Sequence, residues 1–168
     1  MTSSSVLKMK AKKTSSDTGL GQNAKNTLAK ELTKVLADSY LLFMKTQVVH
    51  WNVVGPLFTP VHTLTEQQYN ELFTAIDEIA ERIRALGAPA PVSLKELIKE
   101  STIKEETGVQ SAEKMIQSLV SANEAVAKQA RKVATKAGEL GDQATEDMMV
   151  GRIATHEKAV WMLSALLQ

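Results

Sequence analysis

Among the side chains of metal-ligand type between His50 and Glu81, five fall at telling positions: His50, His62, Glu66, Asp77 and Glu81. His62 and Glu66 are four residues apart, as are Asp77 and Glu81, so on a helix each pair sits one turn apart on one face. Glu66 and Asp77 are eleven residues apart, about three turns, which brings both pairs onto nearly one stripe. Two imidazoles and three carboxylates make a mixed nitrogen and oxygen set suited to Fe(II), with Zn(II) and Mn(II) as competitors. Taken singly, each histidine reads as an ordinary one and each acid as a solvated charge. Metal chemistry therefore depends on whether the fold brings them together.

Helix geometry sets a condition on that. At about 1.5 Å rise per residue, Glu66 and Asp77 stand roughly 16 Å apart along one axis. Ligands of one ion must converge to roughly 2 Å from it, which a single helix cannot arrange. Two copies of the helix packed antiparallel about a two-fold axis meet the condition, because His62 and Glu66 of one copy then face Asp77 and Glu81 of the other. An isologous contact repeats itself, so each dimer would hold two equivalent composite sites.

The elements that must position these residues are helical. Aromatic residues are only 4% of the 168, and Ala, Leu, Lys and Glu are abundant, which favours helix over sheet. Residues 1–22 carry too little apolar content to fold and read as a disordered Lys-rich arm. The remainder, 23–168, is one domain. Its first helix is predicted from Asn23 or Asn26 to about Val53, with Leu28, Leu32, Val35, Leu36 and Phe43 as the buried stripe and His50 one heptad on. Gly55-Pro56 breaks it. Thr59 as N-cap and Pro60 as first helical residue start a second helix that runs to Leu86 and stops at Gly87. Within the long connection 87–108, Ser93-Leu94-Lys95-Glu96 matches a capping box and predicts a short helix over 94–100. A third long helix spans about 110–137, ended by Gly138 and Gly141, and a fourth runs from about Gln143 to Leu167.

Short, long, short connections give an all-α four-helix bundle with a short extra helix in the middle connection. That connection is long enough to return along the bundle, so a ferritin-like arrangement is a candidate beside a plain up-and-down bundle. The intra-subunit di-iron signature Glu-x-x-His is absent, since Gln47, Thr59 and Ile153 stand three before the histidines.

Composition excludes other chemistry. With no cysteine there are no disulfides, no zinc thiolate site and no thiol catalysis. Every apolar run falls well short of a membrane span, and no apolar signal region follows the start, so a cytoplasmic protein is expected. A net charge of +1 gives no overall pull toward nucleic acid. The charge is uneven, however: residues 1–18 hold Lys8, Lys10, Lys12 and Lys13 against one acid, Asp17.

His50-Trp51-Asn52, then His62, then Asp77-Glu78-Ile79-Ala80-Glu81-Arg82 resembles the Dps family, the miniferritins, over essentially the whole chain after the arm. The resemblance implies a twelve-subunit shell built from two-fold dimers, which oxidises Fe(II), preferentially with hydrogen peroxide, and stores Fe(III) mineral in its hollow. It implies that His50, His62 and Glu66 of one subunit face Asp77 and Glu81 of its mate. One departure is Glu66, where the family usually has Asp. The resemblance also suggests that Trp51 absorbs oxidising equivalents, against a plain packing role; Trp161 is expected to pack, and His156 to lie at a surface or interface. Asp142, Glu146 and Asp147 are expected to line three-fold pores, or else to serve as acids at a helix N-terminus. Lys8, Lys10, Lys12 and Lys13, repeated on twelve arms, would bind DNA nonspecifically at the nucleoid, because no base-reading element is present. The rival reading is an architectural nucleoid protein with a weak or non-redox metal site.

Overall fold

A computed structural model describes residues 10–14 and 16–168. Among the described residues five helices follow in order: α1 Gln22–Asn52, α2 Phe58–Ala85, α3 Leu94–Glu100, α4 Ala112–Glu139 and α5 Gln143–Ala165. Helices α1 and α2 form one hairpin, α4 and α5 a second, and α1 packs on α4, with α3 lying against α1. This is the ferritin-like four-helix bundle with an extra helix in the crossover. No helix among the described residues is long and apolar enough to cross a membrane.

The apolar stripes fill the interior. Leu28, Leu32, Val35 and Leu36 of α1 meet Ile79 and Ile83 of α2, Val133 of α4 and Met149 of α5 toward one end. Leu42 and Val49, Val61 and Leu72, Leu119 and Leu163 fill the other end. The long crossover is fixed by a buried acid. Asp38 is 0% exposed, and its carboxylate accepts from the Thr102 backbone N–H at 2.6 Å, the Ser101 hydroxyl at 2.8 Å and the Thr102 hydroxyl at 3.1 Å. Those donors satisfy a buried charge and clamp the end of α3 to α1.

Several boundaries differ from the expected ones for local reasons. Gly21, not an Asn, caps α1, its carbonyl taking the Lys25 N–H, while Asn26 accepts from the Gln22 side chain. Helix α2 opens two residues early, at Phe58, whose N–H donates to Gly55 O across a left-handed Gly55 turn (φ +87°). Pro60 is still tolerated, since the first turn has no intrahelical acceptor for its missing N–H. Gly138 lies inside α4 and only Gly141 (φ +75°) terminates it. Ser93 caps α3 as expected, its hydroxyl accepting from Glu96 N, and Glu96 reaches back to Val92 N at 3.1 Å.

Of the segment expected as an arm, residues 1–9, including Lys8, lie outside the described residues. Further on, Thr14 N donates to Gly87 O at 3.0 Å, Lys25 Nζ donates to Ser16 O, and Leu20 packs at the edge of the core. Lys10, Lys12 and Lys13 are exposed just before that anchor.

Candidate metal centre

The α1–α2 turn brings His50, in the last turn of α1, against His62, in the second turn of α2. Their rings stack with centroids 3.7 Å apart and planes 18° apart. Each ring bonds the other residue's backbone: His50 Nδ1 lies 2.9 Å from His62 O, and His62 Nδ1 lies 2.9 Å from His50 O. A carbonyl oxygen can only accept, so both Nδ1 atoms carry the proton in these bonds. Because α1 ends two residues on, His50 O lacks a helical donor and is free to take His62. Neither Nε2 has a hydrogen-bond partner among the described residues. A backbone carbonyl on one ring nitrogen and a free lone pair on the other is the arrangement that orients a metal-binding imidazole.

Aromatic neighbours hold the pair in place. Phe58 stacks on His62 at 5.0 Å, and Tyr69 meets His50 edge-on at 5.2 Å. Thr65 is fully buried beside them, its hydroxyl donating to Val61 O at 2.7 Å. The sequence reading overlooked these three supports; Thr65 and Tyr69 stand three and seven residues after His62, at spacings that put them on its side of the helix.

Glu66, Asp77 and Glu81 are all exposed on α2. Among the described residues none of the three is in an ion pair, whereas Glu31, Glu71, Glu106 and Asp142 all are. Within the single chain, no three His, Asp or Glu side chains among the described residues are grouped to hold an ion. His50 and His62 are thus brought together by the fold, and Asp77 and Glu81 are left facing outward.

Other expected site residues are placed differently. His156 is not at a surface: it is 1% exposed, with Nδ1 2.8 Å from Asn123 Oδ1 and Nε2 3.0 Å from Arg152 Nη2. Burial, then the Arg152 charge, pushes its pKa down to about 3, so it is neutral. Its spacing of seven from Met149 and three from Ile153 was the signal for this, since those residues are core. Trp51 and Trp161 lie outside the core, 62% and 68% exposed.

Asp142 is the N-cap of α5. It is 5% exposed, accepts from Thr145 N at 3.2 Å and pairs with Arg82 Nη2 at 2.6 Å. Burial raises its pKa, but the bonds from Arg82 and Thr145 outweigh that and hold it below the usual carboxylate range. Asp142 thus serves as the expected acid at the helix N-terminus, its carboxylate held by Arg82 and Thr145. Glu146 is half-buried, its carboxylate lying over Gly138, and Asp147 is exposed.

Known proteins resemble this chain over nearly all of its length. The ferritin-like domain family matches residues 29–168. An uncharacterized low temperature-induced protein of Nostoc sp. is 38% identical over 152 residues, covering 89% of this chain and 85% of that protein. A DNA protection during starvation protein of Porphyromonas gingivalis is 34% identical over 148 residues, covering 88% and 93%. Among solved structures, a Dps protein of Vibrio cholerae O1, described as a member of a broad superfamily of ferritin-like diiron-carboxylate proteins, superposes with a TM-score of 0.86 at 34% identity, covering 95% of this chain and 99% of that one. With its bundle, its histidine pair and these likenesses, the chain belongs to the ferritin-like proteins and, among them, to the Dps family.

Proposed function

We propose that this protein is a ferroxidase and iron-storage shell that also protects DNA. The observation that carries the reading is the stacked histidine pair, each Nδ1 committed to a backbone carbonyl, on and beside a helix bearing three exposed acids that have no ion-pair partner among the described residues. His50, His62 and Glu66 of one subunit, with Asp77 and Glu81 of a two-fold mate, form the site. The imidazoles hold Fe(II), and the harder carboxylates favour the Fe(III) product. Two Fe(II) ions give one electron each to hydrogen peroxide; its O–O bond breaks, two protons are taken up, and two waters form. Glu66, one methylene longer than Asp, lies one turn from His62 and adjusts how closely its oxygen approaches the ion. The shell is a homododecamer in the cytoplasm, with Glu146 and Asp147 drawing Fe(II) through three-fold pores. The same ligand set accepts Zn(II) or Mn(II), without redox chemistry in the case of zinc. Exposed Trp51, adjoining His50 in sequence, is the candidate acceptor of stray oxidising equivalents.

Anaerobic Fe(II) titration followed by peroxide tests this reading. Stoichiometric oxidation and a mineral core are expected, with Asp77→Ala and Glu81→Ala each slowing oxidation by about 10–100-fold or more. Near-normal rates in both variants would remove the assignment.

DNA protection rests on Lys8, Lys10, Lys12 and Lys13, which multivalent display turns into avid, nonspecific phosphate contacts at the nucleoid. Replacing all four by Gln keeps the Thr14 anchor. The mobility shift given by the unchanged protein near 50 mM salt is expected to disappear, with Fe(II) oxidation unaffected. Undiminished binding with the same salt slope would rule the lysines out.

A further inference from the structure

Away from the histidine pair, one polar chain crosses three helices of the bundle interior. The Asn123 amide nitrogen donates to Leu119 O at 2.8 Å, which turns the amide oxygen toward His156 Nδ1, also at 2.8 Å. An amide oxygen only accepts, so the proton is on Nδ1 and the Nε2 lone pair points across the bundle. Arg152 Nη2 stands 3.0 Å from that lone pair and 3.0 Å from Glu71 Oε2, while Nη1 donates to Glu71 Oε1. Arg152 is 6% exposed and Asn123 4%.

An imidazole oriented by a partner on one nitrogen, with its free lone pair aimed at a cation and a carboxylate closing the other side, is how a bundle interior holds a metal ion. Here the cation is a guanidinium. We propose that Arg152 is a resident cation filling a latent divalent-metal site between Glu71 on α2 and His156 on α5, and that it keeps metal out of the bundle interior.

Distances and space agree with this. His156 Nε2 and Glu71 Oε2 share one nitrogen at 3.0 Å, so they lie at most about 6 Å apart. Zinc, at about 2.0–2.2 Å from each donor in a tetrahedral shell, needs roughly 3.4 Å between them, and the partly exposed Glu71 side chain has room to close the difference. A further donor stands by: the Gln68 amide oxygen and nitrogen are buried and unpartnered among the described residues, in a crevice of about 150 Å³ that Glu71, Asn123 and His156 also line. That volume admits the waters that would complete a coordination shell. While Arg152 is present, an incoming ion must break a bidentate arginine–carboxylate pair and leave a guanidinium buried and unpaired, so it is refused.

The test uses the assembled full-length protein and Zn(II) alone. Calorimetric titration of Arg152→Ala is expected to show one additional site per chain over the unchanged protein, and Zn(II) is expected to raise the Tm of the variant through that site. Both gains should vanish in Arg152→Ala/His156→Ala. Should Arg152→Ala fail to assemble, Arg152→Ser offers the same opening with a polar filler. Independently, anomalous scattering from zinc-soaked crystals of the unchanged protein should show no ion at His156. A site number unchanged in the variants, a gained site that persists without His156, or zinc at His156 in the unchanged protein overturns the proposal.

Discussion

Chains carrying His50→Ala and His62→Ala are expected to regain Fe(II) oxidation when co-assembled with chains carrying Asp77→Ala and Glu81→Ala, although each assembly alone is inactive. The reason is geometric. His50 and His62 are stacked within one chain, whereas Asp77 lies eleven residues, roughly 16 Å, along α2 from Glu66. Each parental assembly lacks two of the five donors at every seam, and its rate should drop at least about 100-fold, since even an outer-shell partner is worth about 10–100-fold in affinity. In a mixed dimer one seam pairs intact histidines with intact acids, and the other pairs neither. Such a dimer should therefore recover up to about half of the unchanged rate. Peroxide-dependent Fe(III) absorbance on a refolded equimolar mixture measures it. A mixture no faster than its parents would mean that the acids and histidines do not share an ion across a subunit boundary.

Between pH 7.0 and pH 5.0 the protein is expected to lose about 2 kcal/mol of stability through His156 alone. The imidazole titrates at 6.5 in an unfolded chain and at about 3 in the bundle, where burial and Arg152 oppose the second proton. Below 6.5 the unfolded state takes up a proton that the folded state refuses, so stability is complete above 6.5 and declines as pH falls toward 3. The slope is about 1.4 kcal/mol per pH unit. Asp142 and Glu106, whose pKa values are lowered, act in the same direction but only below their ordinary carboxylate values of 3.8 and 4.5. Neither carboxylate reaches into the interval from 6.5 to 4.5, where the His156 contribution falls. Denaturant unfolding at fixed protomer concentration checks it, because an oligomer's stability depends on that concentration. His156→Gln, which keeps an acceptor for Arg152 and cannot titrate, should flatten this part of the curve. An equal slope in His156→Gln would assign the loss elsewhere.

Much of this was legible in the chain itself. Apolar residues at helical spacing marked the four long helices, and Ser93 with Glu96 marked the fifth, because capping is a contact between near neighbours. Boundaries slipped where a neighbour decided them: Gly55 O took the Phe58 N–H and started α2 early. At the candidate site, the histidines and acids were visible as residue types at telling intervals. Their support was less visible, since Tyr69 and Phe58 matter only once α1 and α2 are folded against each other.

The sequence alone determined the all-α bundle, the long middle connection and the metal-ligand residue types at telling intervals, since periodicity, caps and spacing act within one segment of chain. Tertiary structure alone decided which nitrogen of each histidine keeps its proton, that His156 is buried against Arg152, that Asp142 closes a helix end against Arg82, and that Trp51 and Trp161 stay outside the chain's own core. Periodicity tells which side of a helix turns inward. What waits on the facing helix is settled only when the two are brought together.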